Sequence, residues 1–176
     1  GGRLKWVDEG RPLSMEIPAP KPCRYIAGKP DRSIRAMQNY ILDNLSRDDF
    51  KMLDTRTYQE HIGDSPTAQN SGASSIYRNG RIPGSIHIPW DCNIADDGTF
   101  KPLDQLRNIY KDSKLTQSDE VVSYCRLGIR ASCSWFVLKY LLGYSEILNY
   151  DGSWTEWGNS TGVPIEIGVP NHSKSK

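Results

Sequence analysis

The sequence predicts an α/β fold, a mainly parallel sheet with helices on both faces. Three observations carry that prediction. Short apolar runs bounded by turn residues, Phe50-Lys51-Met52-Leu53, Val121-Val122-Ser123-Tyr124 and Ile147-Leu148-Asn149-Tyr150, read as buried strands. Segments with apolar residues at helical spacing lie between them. Strand and helix therefore alternate along the chain, the pattern of βαβ units. With 176 residues the chain is long enough for one domain with its own core and a short excess.

Each element follows from local signals. Residues 1–33 are rich in Gly, Pro and charge, and Pro12, Pro18, Pro20, Pro22 and Pro30 break any long helix, so this stretch reads as a linker or wrapping segment. The first strong helix is expected from Ser33 to Leu45, with Ser33 as N-cap and Ile34, Met37, Ile41 and Leu45 on one face. The strand from Phe50 ends at Asp54-Thr55-Arg56. Gly, Ser, Asn and Pro cluster densely over 61–80, which predicts a long surface loop. Ile82 to Pro89 reads as a tight turn and a short extended piece. Pro102 opens a second helix carrying Leu103, Leu106, Ile109 and Tyr110 on one face. The strand at Val121–Tyr124 runs into Cys125, and a helix from about Arg130 to Leu142 is closed by Gly143 at C′. A last strand, Ile147–Tyr150, precedes Asp151-Gly152-Ser153 and a Trp-rich segment. No internal repeat is visible.

Composition narrows the function classes. The net charge of +1 gives no reason to expect nucleic acid or an anionic membrane as partner. No apolar run approaches the ~20 residues needed to span a bilayer; Trp135-Phe136-Val137-Leu138 is interrupted by Lys139. The chain opens Gly1-Gly2-Arg3, so any signal or transit peptide is expected to have been removed or never to have been there. Cysteines stand at 23, 92, 125 and 133 without a Cys-x-x-Cys pair, and histidines at 61, 87 and 172. That pattern predicts neither a zinc site nor a disulfide framework, but free thiols in a reducing, cytoplasmic compartment.

Cys125 is the candidate nucleophile. It sits where a buried strand ends and a helix begins, the carboxyl end at which open α/β sheets bind ligands. The loop Cys125-Arg126-Leu127-Gly128-Ile129-Arg130 is short, so the backbone must curl, and Gly128 supplies the freedom. Successive N–H groups then converge as an anion cradle reinforced by the helix N-terminus. Between Val121 and Lys139 there are basic residues and no acidic one. Such surroundings favour a thiolate. A buried core cysteine is the plain alternative, against which stand Arg126 and Arg130.

These residues carry a resemblance. Cys125 to Arg130 followed by an apolar helix resembles the active-site loop of the rhodanese family of thiosulfate sulfurtransferases. Leu53-Asp54-Thr55-Arg56 resembles the family's early strand ending in Asp-x-Arg, and Arg81 to Trp90 its Gly-His-Ile-Pro segment, with Arg81 and His87 replacing the usual residues. Tyr150-Asp151-Gly152-Ser153-Trp154-Thr155-Glu156-Trp157 is similar to the signature that closes two-domain members. Gly1 to Trp6 and Gly10-Arg11-Pro12 look like the last helix and linker of a preceding rhodanese domain, which makes residues 1–21 a tail and 22–176 the catalytic domain of a tandem protein whose first half is missing.

The resemblance implies sulfur transfer from thiosulfate through a Cys125 persulfide to cyanide or a small thiol, with no metal or organic cofactor. It implies substrate contacts from Arg130, Arg126 and Arg56, a loop of Leu127, Gly128 and Ile129 around the anion, and Asp54 as a supporting residue that caps or orients the loop. Mercaptopyruvate sulfurtransferases share the fold, but their loops usually read Cys-Gly-Ser-Gly, so the arginines here favour the thiosulfate dianion. Phosphatases with Cys-x5-Arg have a loop one residue longer, sized for phosphate. A non-enzymatic binding module would not need Cys125, and a cysteine peptidase would need a histidine base with motif context. Cys133, Trp154 and Trp157 read as core residues, and His87 as structural.

Overall fold

A computed structural model of the chain describes residues 1–64 and 77–170. Among them are strands β1 Phe50–Asp54, β2 Ile86–His87, β3 Glu120–Tyr124 and β4 Ile147–Tyr150. They form one sheet in the order β2-β1-β3-β4, parallel at every pairing. Parallel neighbours need crossover connections, and helices supply them. The α-helices are α1 Gly2–Asp8, α2 Gln38–Asn44, α3 Tyr58–Ile62, α4 Leu103–Lys111, α5 Ile129–Phe136 and α6 Ser153–Trp157.

Alternation along the strands builds two cores. Phe50 and Met52 of β1, Val122 and Tyr124 of β3 and Tyr150 of β4 pack with Ile41 of α2 and Trp154 and Trp157 of α6. Leu53, Val121 and Ile147, one residue out of phase, pack with Leu106 and Tyr110 of α4 and with Val137 and Leu138 beyond α5. Each fully buried aliphatic side chain contributes about 1.5–3 kcal/mol, and both faces of the sheet are covered. The fold is the open parallel α/β sheet that the strand pattern predicts.

Three boundaries differ from expectation. The helix expected at Ser33–Leu45 begins only at Gln38. Residues 34–36 instead extend along the open edge of β4: Ala36 N–H donates to Asn149 O at 3.0 Å and Asn149 N–H to Ile34 O at 2.9 Å. Pairing with an exposed sheet edge outweighs helical periodicity there, and Ser33 bonds to Asp31 rather than capping a helix. The helix expected to run to Leu142 changes at Val137–Leu141 to a π-helical turn before Gly143, whose φ is +76°. The loop expected over 61–80 begins with the end of α3, and its centre, 65–76, lies outside the described residues. The α4 helix starts immediately after Pro102, as expected.

The carboxyl end of β1 anchors what lies above it. Asp54 is fully buried, and its carboxylate gathers donors from separate parts of the chain. Oδ1 accepts Arg56 N–H at 3.1 Å and Nε–H at 2.9 Å; Oδ2 accepts Arg56 Nη2 at 2.7 Å, His61 Nδ1 at 2.9 Å and the Tyr124 hydroxyl at 3.0 Å. Burial opposes the charged form, but the Arg56 guanidinium and the bonds from His61 and Arg56 overcome it and hold the Asp54 carboxyl well below the usual carboxylate range. Burial and the Asp54 charge push the Tyr124 phenol far up, so it stays a donor.

Breaking a buried pair by removing one partner strands the other charge. Asp54→Asn is therefore expected to cost roughly 3–5 kcal/mol in urea unfolding. Because the folded-state pKa is depressed, the Asp54 contribution is complete above the ordinary carboxylate pKa of ~3.9 and is lost as pH falls below it. Wild type should thus lose stability on acidification below about pH 4 more steeply than Asp54→Asn; parallel pH profiles for the two proteins would refute this.

Candidate active site at the carboxyl end of the sheet

Cys125 directly follows β3 and is 1% exposed. Its backbone is fixed from several directions. Tyr124 O accepts both the N–H and the hydroxyl of Thr55 at 3.0 Å. Cys125 N–H donates to Ser153 Oγ at 3.0 Å, Cys125 O accepts Trp154 N–H at 3.0 Å, and Arg126 O accepts Thr155 N–H at 3.1 Å. The loop is thus strapped to the first turn of α6, and the thiol has little freedom to move.

Positive φ angles shape both straps. Gly128 has φ +79° and is the N-cap residue of α5. A Cβ there would lie 2.7 Å from Asp151 Cα, a backbone atom that cannot swing away. Ser153 has φ +54°, a conformation that costs a non-glycine residue about 1–3 kcal/mol. Its hydroxyl offsets that strain by accepting from Cys125 and donating to Tyr150 O at 2.7 Å.

The leading N–H groups of α5 have no acceptor within the helix, and Ser132 N–H reaches Gly128 O at 3.0 Å. With the macrodipole, this makes the rim of the loop attractive to an anion or to a negatively charged sulfur. Leu127 and Ile129 are 48% and 75% exposed at that rim.

The expected arginines are distributed differently than the motif suggests. Arg130 lies within electrostatic reach of Cys125, but Nη1 and Nη2 make a bidentate pair with Glu60 at 2.7 and 2.8 Å. Burial disfavours the Glu60 carboxylate, yet Arg130 and the Thr57 N–H lower its pKa below the ordinary value, while Glu60 raises that of Arg130. Arg126 is partly exposed on the loop. Arg56, expected to reach the anion from the strand end, is 2% exposed and is not brought to the loop mouth. Its guanidinium is bound to Asp54 and Gly80 O and lies over the rings of Trp154 and Tyr124, at 4.6 and 5.4 Å. Asp54 acts on the loop through Tyr124, the residue before the cysteine.

Burial raises the Cys133 and Cys92 thiols above the ordinary value. Trp154 and Trp157 are core residues, and the His87 ring contacts Arg56 O at 2.9 Å. A cleft of about 820 Å³ opens beside β2, lined by His61, Arg81, His87 and others, and includes no residue of the Cys125 loop.

Glu60 and Ser153 escaped the reading of the sequence as site residues. Glu60 carried a usable signal, the Thr-x-x-Glu capping pattern at 57–60. Thr57 and Glu60 form a reciprocal capping box on α3, which turns the Glu60 carboxylate toward Arg130. Nothing local marks Ser153, because its contact with Cys125 depends on β3 and α6 meeting.

The sequence profile of the rhodanese-like domain matches residues 37–160. The chain belongs to the rhodanese-like family. It is 45% identical over 171 residues to the sulfur carrier protein TtuD of Thermus thermophilus, covering 96% of this chain and 60% of that protein. It is 41% identical over 168 residues to a Mycobacterium tuberculosis protein provisionally named a thiosulfate sulfurtransferase, again covering 96% and 60%. This rhodanese-like chain thus spans about 60% of the length of those curated relatives. Among solved structures it is similar to an anaerobic ergothioneine biosynthesis enzyme from Chlorobium limicola in complex with trimethyl histidine, with TM-score 0.81, 28% identity and 96% and 40% coverage. A persulfide form of EanB with ergothioneine superposes with TM-score 0.82 at 28% identity, with 96% and 41% coverage.

Gly128→Ala tests the geometry of the cradle. The added methyl meets the Asp151 backbone and the positive φ penalises any side chain, so a loss of at least about 1–3 kcal/mol is expected. Thermal denaturation and alkylation of Cys125 by iodoacetamide should both change; an unaltered melt and alkylation rate would show that the loop does not need this conformation.

Proposed function

We propose that this chain moves sulfane sulfur from thiosulfate to a thiophilic acceptor, cyanide or a small thiol, through a persulfide on Cys125. The carrying observation is a buried cysteine at the carboxyl end of β3, with its backbone bonded to Ser153 and Trp154 and the N-cap of α5 following three residues later. The names of the relatives from Thermus and Mycobacterium, both sulfur-handling proteins, support the same reading.

In the first step the Cys125 thiolate attacks the outer sulfur of thiosulfate. A Cys125 S–S bond forms, the bond to the sulfonate sulfur breaks, and sulfite leaves with the electron pair. In the second, cyanide or a thiolate attacks the outer sulfur of the persulfide and the Cys125 thiolate departs. The amides of Leu127, Gly128, Ile129 and Arg130 stabilise the negative outer sulfur, and Arg126 and Arg130 face the sulfonate oxygens. Asp54 and Arg56 hold the loop from below without touching substrate. No step requires a metal or organic cofactor. In the proposed setting the protein works in the reducing cytoplasm, and residues 1–21 are the tail of a preceding domain.

Mass spectrometry after incubation with thiosulfate should find one added sulfur atom on Cys125 in wild type. Cys125→Ser should lose both the adduct and at least about a thousandfold in thiocyanate formation, whereas Cys133→Ser should keep most activity. A dead Cys133→Ser protein with an active Cys125→Ser protein would reject the assignment. So would strong turnover of p-nitrophenyl phosphate with negligible thiocyanate.

A further inference from the structure

The cleft beside β2 contains a buried acceptor that the cysteine chemistry does not use. His61 lines this cleft and is 1% exposed. Its Nδ1 is 2.9 Å from Oδ2 of Asp54, a carboxylate held ionised, so Nδ1 carries the hydrogen and donates it. Across the neutral ring Nε2 is then a lone pair, and it has no hydrogen-bond partner. His87, on the same wall, has Nε2 2.9 Å from Arg56 O. A carbonyl only accepts, so Nε2 carries the hydrogen there and Nδ1 the lone pair. Burial lowers the His87 pKa, which keeps that ring neutral at neutral pH.

These acceptors belong to an aromatic wall. The His61 and His87 rings stack with centroids 4.6 Å apart, and the Tyr58 ring, partly open to solvent, follows at 5.7 Å from His87. Ile86, Ile167 and Val169 add apolar lining. The buried cation of the cleft, Arg81, is already bound by Glu166 at 3.1 Å and by Gly168 O at 2.6 Å. The exposed Lys114 and Asp112 carry opposite charges. Among the described residues no group of three or more histidine, cysteine or carboxylate side chains could hold a metal ion. Two lone pairs beside π faces and apolar side chains therefore suit a neutral, planar molecule that brings its own N–H. The cleft volume of about 820 Å³ falls in the range of small-molecule sites, roughly 300–1,000 Å³.

We propose that this cleft is a second binding site, for neutral bicyclic heteroaromatic molecules that carry a ring N–H, of indole or purine size. The ring N–H donates to His61 Nε2, and the face of the ring lies against Tyr58. A buried acceptor is costly while it is unpaired. Pairing it on binding therefore selects the N–H form over the same ring without that hydrogen. The site includes no residue of the Cys125 loop and stands independently of the sulfur-transfer reading.

The test is long-range proton–nitrogen NMR of the histidine rings in the full chain, titrated with indole and, separately, with 1-methylindole. Indole should saturate and move the His61 Nε2 resonance upfield, as accepting a hydrogen bond requires. The methylated ring, which has no donor, should bind at least about tenfold more weakly. Tyr58→Ala should weaken indole about fivefold by removing the stacking face. His61→Phe keeps a ring but removes Nε2, and should abolish the preference for indole over 1-methylindole. Equal affinities of wild type for the two probes overturn the proposal. So do an Nε2 resonance that stays in place at saturation, unchanged affinity in Tyr58→Ala, or the absence of saturable indole binding. Movement of both rings with zinc ion but not with indole overturns it in favour of a metal site. Should His61→Phe fail to fold, the two wild-type titrations decide.

Discussion

The Asp54 carboxylate is the point on which the carboxyl end of this sheet depends. A buried carboxylate is tolerated only when charge and hydrogen bonds compensate for lost water, and here the compensating groups are also the groups that build the site. Arg56 comes from the turn after β1, His61 from α3 and Tyr124 from the last residue of β3. Satisfying one anion therefore fixes three segments at once. Tyr124 precedes Cys125, and Glu60 precedes His61 on α3, so Cys125 and the Arg130 clamp descend from the same anchor.

Above that anchor, the loop is held by unusual backbone conformations. Gly128 and Ser153 both occupy positive φ; at 128 a side chain would also strike Asp151, and at 153 the hydroxyl bridges Cys125 and Tyr150. Local strain of this kind persists where surrounding structure over-determines it, and it concentrates at functional sites. Here it is matched by the straps from α6 to Cys125 and Arg126.

Electrostatics at the mouth follow from partners rather than from composition. The stretch from Val121 to Lys139 contains no acidic residue, yet the carboxylate that pairs with Arg130 arrives from elsewhere: Glu60 from α3, seventy positions away along the chain. A loop that reads as cationic in sequence is locally compensated in space, and its exposed rim is apolar.

Much was legible in the residues alone. Apolar runs of β length, Gly143 as a helix stop, Pro102 before α4 and the Cys125-to-Arg130 loop are local patterns, and local steric and hydrophobic rules are sufficient to read them. Where those rules misread the chain, a distant partner had intervened. Ile34 and Ala36 show helical spacing but bond to Asn149 at an open sheet edge. Arg56 has the motif position of a substrate ligand, but Asp54 and Trp154 hold it in the interior. Glu60 and Ser153 look unremarkable in sequence and become site residues only when α3 and α6 meet the end of β3. Sequence by itself determined the sheet, the place of Cys125 at the end of β3 and the sharp turn at Gly128, because each depends on neighbours within a few residues. The tertiary structure alone decided which arginine is buried, which is clamped and what holds the cysteine, because hydrogen bonds and ion pairs join groups by distance in space and not along the chain.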